Sequence, residues 1–255
     1  MTVRFASLGS GSKGNSTLVD DGESCLLVDL GFSVKETVRR LARLGKKPVD
    51  ITAILVTHEH GDHIHGVAPF ARKFDIPVYL THGTYQPKSM GQLPVLKLIN
   101  CHRVFECGSF EVTPVAVPHD AKEPCQYVLR SSGATVGILT DLGHITDHVK
   151  SSYSNCDALL LECNHDLEML EQGPYPAPLK RRVGGDYGHL NNHQAAALLD
   201  AVDLQQLDHL VISHISEQNN QPALAQAVVE DRLSAWSGNL QLADQQSGID
   251  WVVVK

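Results

Sequence analysis

Residues 56–63 read Val56-Thr57-His58-Glu59-His60-Gly61-Asp62-His63, and they close the apolar run Ile51–Val56, which has the pattern of a buried strand. Histidines two positions apart on an extended chain point to the same side, so His58 and His60 are placed to bind one ion. The adjacent Asp62 and His63, at a predicted helix start, turn toward a second ion. Neutral imidazole suits zinc, iron or manganese, and a carboxylate widens the choice toward harder ions. The segment therefore predicts a metal site at the end of a strand.

Composition indicates an ordinary globular protein. The chain has 255 residues, of which 42% are hydrophobic and 20% charged, and its net charge is −8. This charge argues against nonspecific nucleic-acid binding through a basic surface, but not against a polyanionic substrate, because bound divalent ions would make a cleft far more positive. No apolar run approaches the length of a membrane span, and Met1–Gly9 lacks a signal-peptide pattern. We therefore expect a cytoplasmic protein without membrane association.

Short apolar runs alternate with helical patterns along the whole chain, and no internal repeat or long linker divides them. This organisation predicts one domain over residues 1–255, of the α/β class, with mixed sheets covered by helices on the outside. Strand ends are where α/β proteins place their chemistry. Metal-type side chains follow five predicted strands, namely Asp29, His58, His119, Asp141 and His214.

In this order, the residues above resemble the successive motifs of the metallo-β-lactamase superfamily, across essentially the whole chain. The resemblance implies a four-layer αβ/βα sandwich with two mixed β-sheets and two divalent metal ions at one edge. By the same resemblance, the first ion has the ligands His58, His60 and His119. The second has Asp62, His63 and His214, with Asp141 bridging the two.

Two further positions follow from that resemblance. Asp29 matches a residue that braces the histidine loop from behind. Asp141 stands where antibiotic-hydrolysing members carry cysteine, which is similar to the phosphodiesterase and nuclease branches. An oxygen bridge leaves zinc and manganese, with iron as a third option, open as the native metal.

The segments around Glu162 and His189 resemble the carboxylate and histidine with which ribonuclease Z type enzymes protonate the leaving oxygen. The resemblance implies that a metal-bridging hydroxide attacks a phosphodiester, that Asp62 orients it, and that Glu162 orients His189 as proton donor. Glu162 does not lie in a His-Glu-Ala-Thr motif, and no long Gly/Pro-rich insertion is present. A standard tRNA-processing enzyme is therefore not indicated.

Three segments resemble the YycJ/WalJ-type family of bacterial exonucleases: Gly9–Thr17, Glu162–Asn191 and Ser213–Asn220. Members are associated with 5′-to-3′ degradation of DNA, so the resemblance implies DNA ends as substrate. An alternative is a hydrolase of small phosphodiesters or thioesters on the same fold. A third class, a binding protein without turnover, is disfavoured because all seven expected ligands are present. The oligomeric state has no indication in the sequence.

The loop Gly9–Ser16 offers backbone N–H groups and hydroxyls where glycines allow close approach to a ligand. One interpretation is a cradle for a terminal phosphate, with Ser12, Asn15 and Ser16 as contacts. The other is a tight turn between two strands.

The stretch Glu171–Tyr187, which contains Lys180 and Arg182, lies between the two residues predicted to transfer a proton. It is interpreted either as a substrate-binding rim, in which Lys180 and Arg182 contact the substrate, or as a solvated loop. His165, which is close to Glu162 in sequence, is predicted to support the site.

Overall fold

A computed structural model describes residues 2 to 254 and shows two seven-stranded β-sheets with helices on their outer faces. The strands are β1 (Arg4–Gly9), β2 (Ser16–Asp20), β3 (Cys25–Val28), β4 (Ala53–Leu55), β5 (Val78–Thr81), β6 (Leu96–Ile99), β7 (Phe105–Cys107), β8 (Phe110–Ala116), β9 (Cys125–Ser131), β10 (Ala134–Leu139), β11 (Ala158–Glu162), β12 (His209–Ser213), β13 (Asn239–Leu242) and β14 (Ile249–Val253).

The helices connect these strands. They are α1 (Val34–Arg43), α2 (Gly61–Ile64), α3 (Val67–Phe74), α4 (Pro87–Met90), α5 (Asp147–Tyr153), α6 (Leu167–Gln172), α7 (Ala177–Val183), α8 (Asn192–Leu198) and α9 (Pro222–Arg232), with 3₁₀ turns at Pro48–Asp50 and Leu199–Ala201. No helix within residues 2–254 combines the length and apolar character needed to cross a bilayer.

Both sheets are mixed. The first has the order β14-β1-β2-β3-β4-β5-β6, antiparallel from β14 to β3 and parallel from β3 to β6. The second has the order β13-β12-β11-β10-β9-β8-β7, antiparallel from β7 to β10 and parallel from β10 to β13. Parallel strands point their carboxyl ends to one edge, so the residues that follow them collect there.

Alternating residues of the strands divide the core into three parts. Side chains such as Phe5, Tyr127 and Leu160 fill the space between the sheets. The outer face of the first sheet packs against α1 and α3, and that of the second packs against α5, α8 and α9. The result is helix, sheet, sheet, helix, which confirms the predicted four-layer sandwich. A single domain over residues 1–255 stays a prediction, and its first and last residues lie outside the described part.

One loop prediction needs correction. Within Glu171–Tyr187, the residues Ala177–Val183 form the helix α7, which has Pro178 in its first turn. Proline is favourable where a helix begins because its fixed φ is preorganised and no amide hydrogen is needed there. The stretch is therefore a structured element that carries Arg182, and a bare solvated loop is wrong for this part of it.

Candidate metal centre and active site

Three predicted site residues leave their strands in the left-handed backbone region. Asp29 after β3, Asp141 after β10 and His214 after β12 have φ of 59°, 50° and 51°. Non-glycine residues adopt this conformation at an energetic cost, and it concentrates at functional sites. The conformation turns the chain sharply at the sheet edge, where all three side chains are buried.

His58, His60 and His119 come together as one group of potential ligands, with one nitrogen of each within 4.8 Å of the others. The Nε2 atom of His119 lies 3.2 Å from Nδ1 of His60. The Nδ1 atom of His119 donates to the carbonyl oxygen of Gly188 at 2.9 Å, which leaves Nε2 with its lone pair. This hydrogen bond fixes the ring in the tautomer that a metal ion requires.

A chain of hydrogen bonds also fixes the tautomer of His58. The hydroxyl of Thr57 donates to Oδ2 of Asp29 at 2.8 Å and so can accept from Nδ1 of His58, 2.9 Å away. The Nε2 atom of His58 is buried and has no hydrogen-bond partner among residues 2–254. Burial lowers the pKa of His58 well below its ordinary value, so the ring is neutral. A buried lone pair facing two other imidazoles fits a metal ion.

Asp29 lies behind the histidine loop, as predicted from the resemblance, and its carboxylate is fully engaged. It accepts from the backbone N–H and the hydroxyl of Thr57 and from Nδ1 of His63, each at 2.8 Å. The last contact leaves Nε2 of His63 as the atom that faces the site. One carboxylate therefore sets the orientation of two potential ligands.

Asp62, His63 and His214 form a second group of potential ligands. The Oδ2 atom of Asp62 lies 3.4 Å from Nε2 of each histidine. Burial opposes ionisation of Asp62, but the charge of His63 and hydrogen bonds from both histidines hold its pKa below the ordinary value. Asp62 is therefore a carboxylate.

Asp141 joins the two groups. Its Oδ2 atom lies 3.1 Å from Nε2 of His63, and it also forms a group with His58 and His63. That oxygen is buried and accepts no hydrogen bond from the described chain. Burial opposes its charge, but His214 and His63 lower the pKa of Asp141 well below its ordinary value. A buried charged oxygen between two clusters of imidazoles has the donor chemistry of a bridging ligand.

Glu162 and His189 stand beside Asp141. The Oε1 atom of Glu162 lies 2.6 Å from Nδ1 of His189, and its Oε2 accepts from the backbone N–H groups of Leu142 and Leu190. Burial opposes the charge on Glu162, but His189 lowers its pKa to about 2. Burial alone would lower the pKa of His189, whereas the charge of Glu162 raises it. The pair is thus an ionised carboxylate holding an imidazole at the cleft.

Of the three predicted substrate contacts in the Gly9–Ser16 loop, one lines the cleft and two are buried beside the site. Ser12 lines the cleft of about 330 Å³ above the ligand groups. Asn15 is buried, and its amide lies 3.2 Å from Oδ2 of Asp62 and accepts from the backbone of Gly11 at 2.8 Å. Ser16 is buried and donates to the carbonyl oxygen of Asp29 at 2.8 Å. Both inner side chains are used to brace the site, so we propose no substrate contact for them.

Of the two basic residues predicted to contact the substrate, one lines the cleft and the other does not. Arg182 lines the cleft, where its guanidinium contacts the carboxylate of Asp120. Lys180 donates instead to the carbonyl oxygen of Glu171 at 2.6 Å, outside the set of residues that line this cleft. A substrate contact of Arg182 stays a prediction with support from its placement, and the placement of Lys180 gives no such support.

Sequence reasoning missed Asp120, which follows His119. Its Oδ1 atom lies 3.5 Å from Nε2 of His119 and 3.8 Å from Nε2 of His60. An aspartate directly after a predicted histidine ligand was the available signal. His165 is buried, burial lowers its pKa to about 4, and neither ring nitrogen has a partner within the described residues. Its supporting role stays a prediction.

The fold and the site define a class. Residues 25–215 match the family model described as a beta-lactamase superfamily domain. The chain belongs to this superfamily, which with the histidine and aspartate groups makes it a metal-dependent hydrolase. It is 36% identical over 237 residues to exodeoxyribonuclease YycJ of Bacillus anthracis, covering 91% of this chain and 90% of that protein.

Two further comparisons agree with this assignment. Exodeoxyribonuclease WalJ of Streptococcus pneumoniae is 33% identical over 256 residues, covering 98% of this chain and 93% of that protein. The metallo-beta-lactamase fold protein YhfI of Bacillus subtilis superposes with a TM-score of 0.76 at 17% identity, covering 99% of this chain and all of that one. This likeness shows the fold alone.

Proposed function

We propose that this protein is a dinuclear metal-dependent phosphodiester hydrolase that degrades DNA from its 5′ ends. The observation that carries the proposal is the juxtaposition of Asp141, which joins two groups of potential ligands, with the Glu162–His189 pair. The relatives that match over nine-tenths of the chain are exodeoxyribonucleases by name, which favours DNA as the substrate.

The six predicted ligands of the two groups, with Asp141 between them, would hold two ions. Histidine nitrogens with carboxylate oxygens suit zinc or manganese, with iron as a further candidate. When bound, such ions lower the pKa of water toward neutrality and neutralise charge that develops on phosphoryl oxygens. The remaining steps belong to side chains of the protein.

His189 is the proposed general acid. Glu162 keeps its imidazole protonated by binding Nδ1, which leaves Nε2 as the atom that can donate a proton into the cleft that His189 lines. The proton passes to the sugar oxygen as its bond to phosphorus breaks. Asp62 orients the attacking water, and Arg182 contacts a nonbridging oxygen at the mouth of the cleft.

The cleft also favours an end over the middle of a strand. Its volume of about 330 Å³ is at the lower limit of small-molecule sites, so it suits a single nucleotide better than a duplex.

We propose that the protein acts in the cytoplasm.

Linear DNA carrying a 5′-phosphate, labelled at one end or the other, tests the proposal against closed circular DNA of the same sequence. With zinc or manganese present, we expect mononucleotides to be released from the 5′ end while the circle stays intact. Asp141→Asn is the inactive control. Activity on bis(p-nitrophenyl) phosphate without any on DNA would favour the alternative, a hydrolase of small phosphodiesters.

A further inference from the structure

Asn219 is a buried amide without partners at the side of the cleft. Its side chain is buried at the wall of the cleft, and neither Oδ1 nor Nδ2 has a hydrogen-bond partner in residues 2–254. Its backbone is fixed, because its N–H donates to Oγ of Ser216 at 3.1 Å and its carbonyl accepts from Asp166 at 2.9 Å. Buried polar groups are normally paired, so an unpaired amide that lines a cleft points to a ligand.

Five residues that line the cleft are polar and uncharged, and we call them its uncharged side: Ser12, Asn164, Tyr175, Ser216 and Asn219. Three of them are in contact, because Oγ of Ser216 accepts from the backbone of Asn219 and the N–H of Ser216 donates to the carbonyl oxygen of Asn164. Lys13, which neighbours Ser12, is held 2.6 Å from Glu217 and does not line the cleft. Among the described lining residues, Arg182 is the one Lys or Arg side chain.

This division of charge assigns different parts of a nucleotide to the two sides. A phosphate group belongs with Arg182 and the ligand groups, where cations would face it. Hydroxyl and amide groups without charge suit a nucleoside. An asparagine amide presents an NH₂ donor group beside a carbonyl acceptor, and this pair can bind the edge of a nucleobase through two hydrogen bonds.

Tyr175 supplies the apolar surface that a base also needs. It lines the same cleft as Asn219, from the connection between α6 and α7. Gly173 in the same connection packs so closely that a Cβ there would lie 2.7 Å from Oδ1 of Asn219. The connection that carries Tyr175 is thus packed against Asn219 at Gly173, two residues before the tyrosine. Base stacking on an aromatic ring tolerates every base.

We infer that this uncharged side of the cleft, lined by Ser12, Asn164, Tyr175, Ser216 and Asn219, is a nucleoside subsite. In it, Asn219 hydrogen-bonds to the edge of the terminal nucleobase and the ring of Tyr175 stacks on its face. The inference rests on the proposed function, since it describes the part of a DNA end that is cleaved off.

Calorimetric titration of the metal-loaded protein tests the subsite without turnover. Thymidine 5′-monophosphate should bind at least about ten-fold more tightly than 2-deoxyribose 5-phosphate, which has no base. Asn219→Leu should reduce this preference, because one of the two proposed contacts to the base is lost. Gln218→Leu, the same substitution at the exposed neighbour, should leave the ratio unchanged.

Tyr175→Leu gives a second test should Asn219→Leu fail to fold, and it should also reduce the preference for the nucleotide. Equal binding of the two ligands by the unaltered protein, or an unchanged ratio in Asn219→Leu, would overturn the subsite. Tight nucleotide binding without any cleavage of DNA would instead reject the proposed exonuclease function and leave the subsite in place.

Discussion

The Oε1 atom of Glu162 lies 2.6 Å from Nδ1 of His189 and, at 3.1 Å, also contacts Nδ1 of His214. One buried carboxylate therefore positions both the proposed proton donor and a predicted ligand. A residue that serves both would affect proton transfer and metal binding together.

Variants of His189 and Glu162 should therefore differ in metal binding. His189→Ala should keep its metal and lose about 10²- to 10⁴-fold in turnover of DNA, because the departing sugar oxygen then receives no proton. Glu162→Gln should lose turnover and also bind metal more weakly. Turnover and metal content of each variant check this. Full turnover of DNA by His189→Ala would remove this histidine from the reaction.

The pH profile gives an independent check on His189. Its pKa is raised above the ordinary value by the charge of Glu162, against the effect of burial. A general acid acts when protonated, so the rate with DNA should decline as the pH rises through the folded-state pKa. His189→Ala should lack this alkaline decline. The rate of hydrolysis of bis(p-nitrophenyl) phosphate, which has a good leaving group, should depend much less on His189.

Asp29 is predicted to control metal affinity without touching the metal. Asp29→Asn alters the carboxylate that accepts hydrogen bonds from Thr57 and His63. The affinity of the protein for metal should therefore fall by about 10- to 100-fold. Asp75→Asn is a matched control, since Asp75 is exposed and has a similar φ of 57°. Competition with a chromogenic chelator measures both variants, and equal affinities would contradict the bracing role.

Asp120 is predicted to act through Arg182. Arg182→Ala should raise KM for DNA about ten-fold by removing one charge-assisted phosphate contact. Asp120→Asn should raise KM less, and it should add little in the Arg182→Ala background, because the two act as one unit. Arg181→Ala, at the exposed neighbour, is the control. Loss of metal from Asp120→Asn would identify Asp120 as a ligand instead.

Gly31 is required by the space around Asp62. A Cβ at Gly31 would lie 1.9 Å from the carbonyl oxygen of Asp62, so Gly31→Ala must displace that loop. We expect about 1 to 3 kcal/mol of lost stability, measured by denaturant unfolding, and weaker metal binding. Gly61→Ala, where no described atom lies within 4 Å of the added carbon, should change neither. Equal stability of the two variants would contradict this packing argument.

Much of the fold was predictable because the strands that carry the site are short, buried and apolar. The apolar run Ile51–Val56 predicts a buried strand, and β4 occupies Ala53–Leu55 within it. The edge strands β6, β7 and β13 were not, since charged or polar residues such as Lys97, Glu106 and Gln241 interrupt their apolar pattern. Edge strands commonly carry such residues, which limit pairing with other chains.

The ligand groups could be predicted in part, because residues after parallel strands collect at one edge of each sheet. That the edges of the two sheets meet, and that His119 after the antiparallel strand β8 joins them, does not follow from this rule. The residues that contact and position the predicted ligands could not be predicted. That Asn15 faces Asp62 depends on a contact across 47 positions, and the contact of Asp120 with Arg182 spans 62. The left-handed backbone at Asp141 likewise comes from tertiary packing, because aspartate has only a weak intrinsic tendency to adopt it.

The metal content of the purified protein tests the central claim most directly. After saturation with zinc or manganese and removal of loosely bound ions, elemental analysis should find two ions per chain. Asp141→Ala should reduce that number, because its carboxylate joins the two groups. One ion or none per chain in the unaltered, metal-replete protein would contradict the dinuclear account.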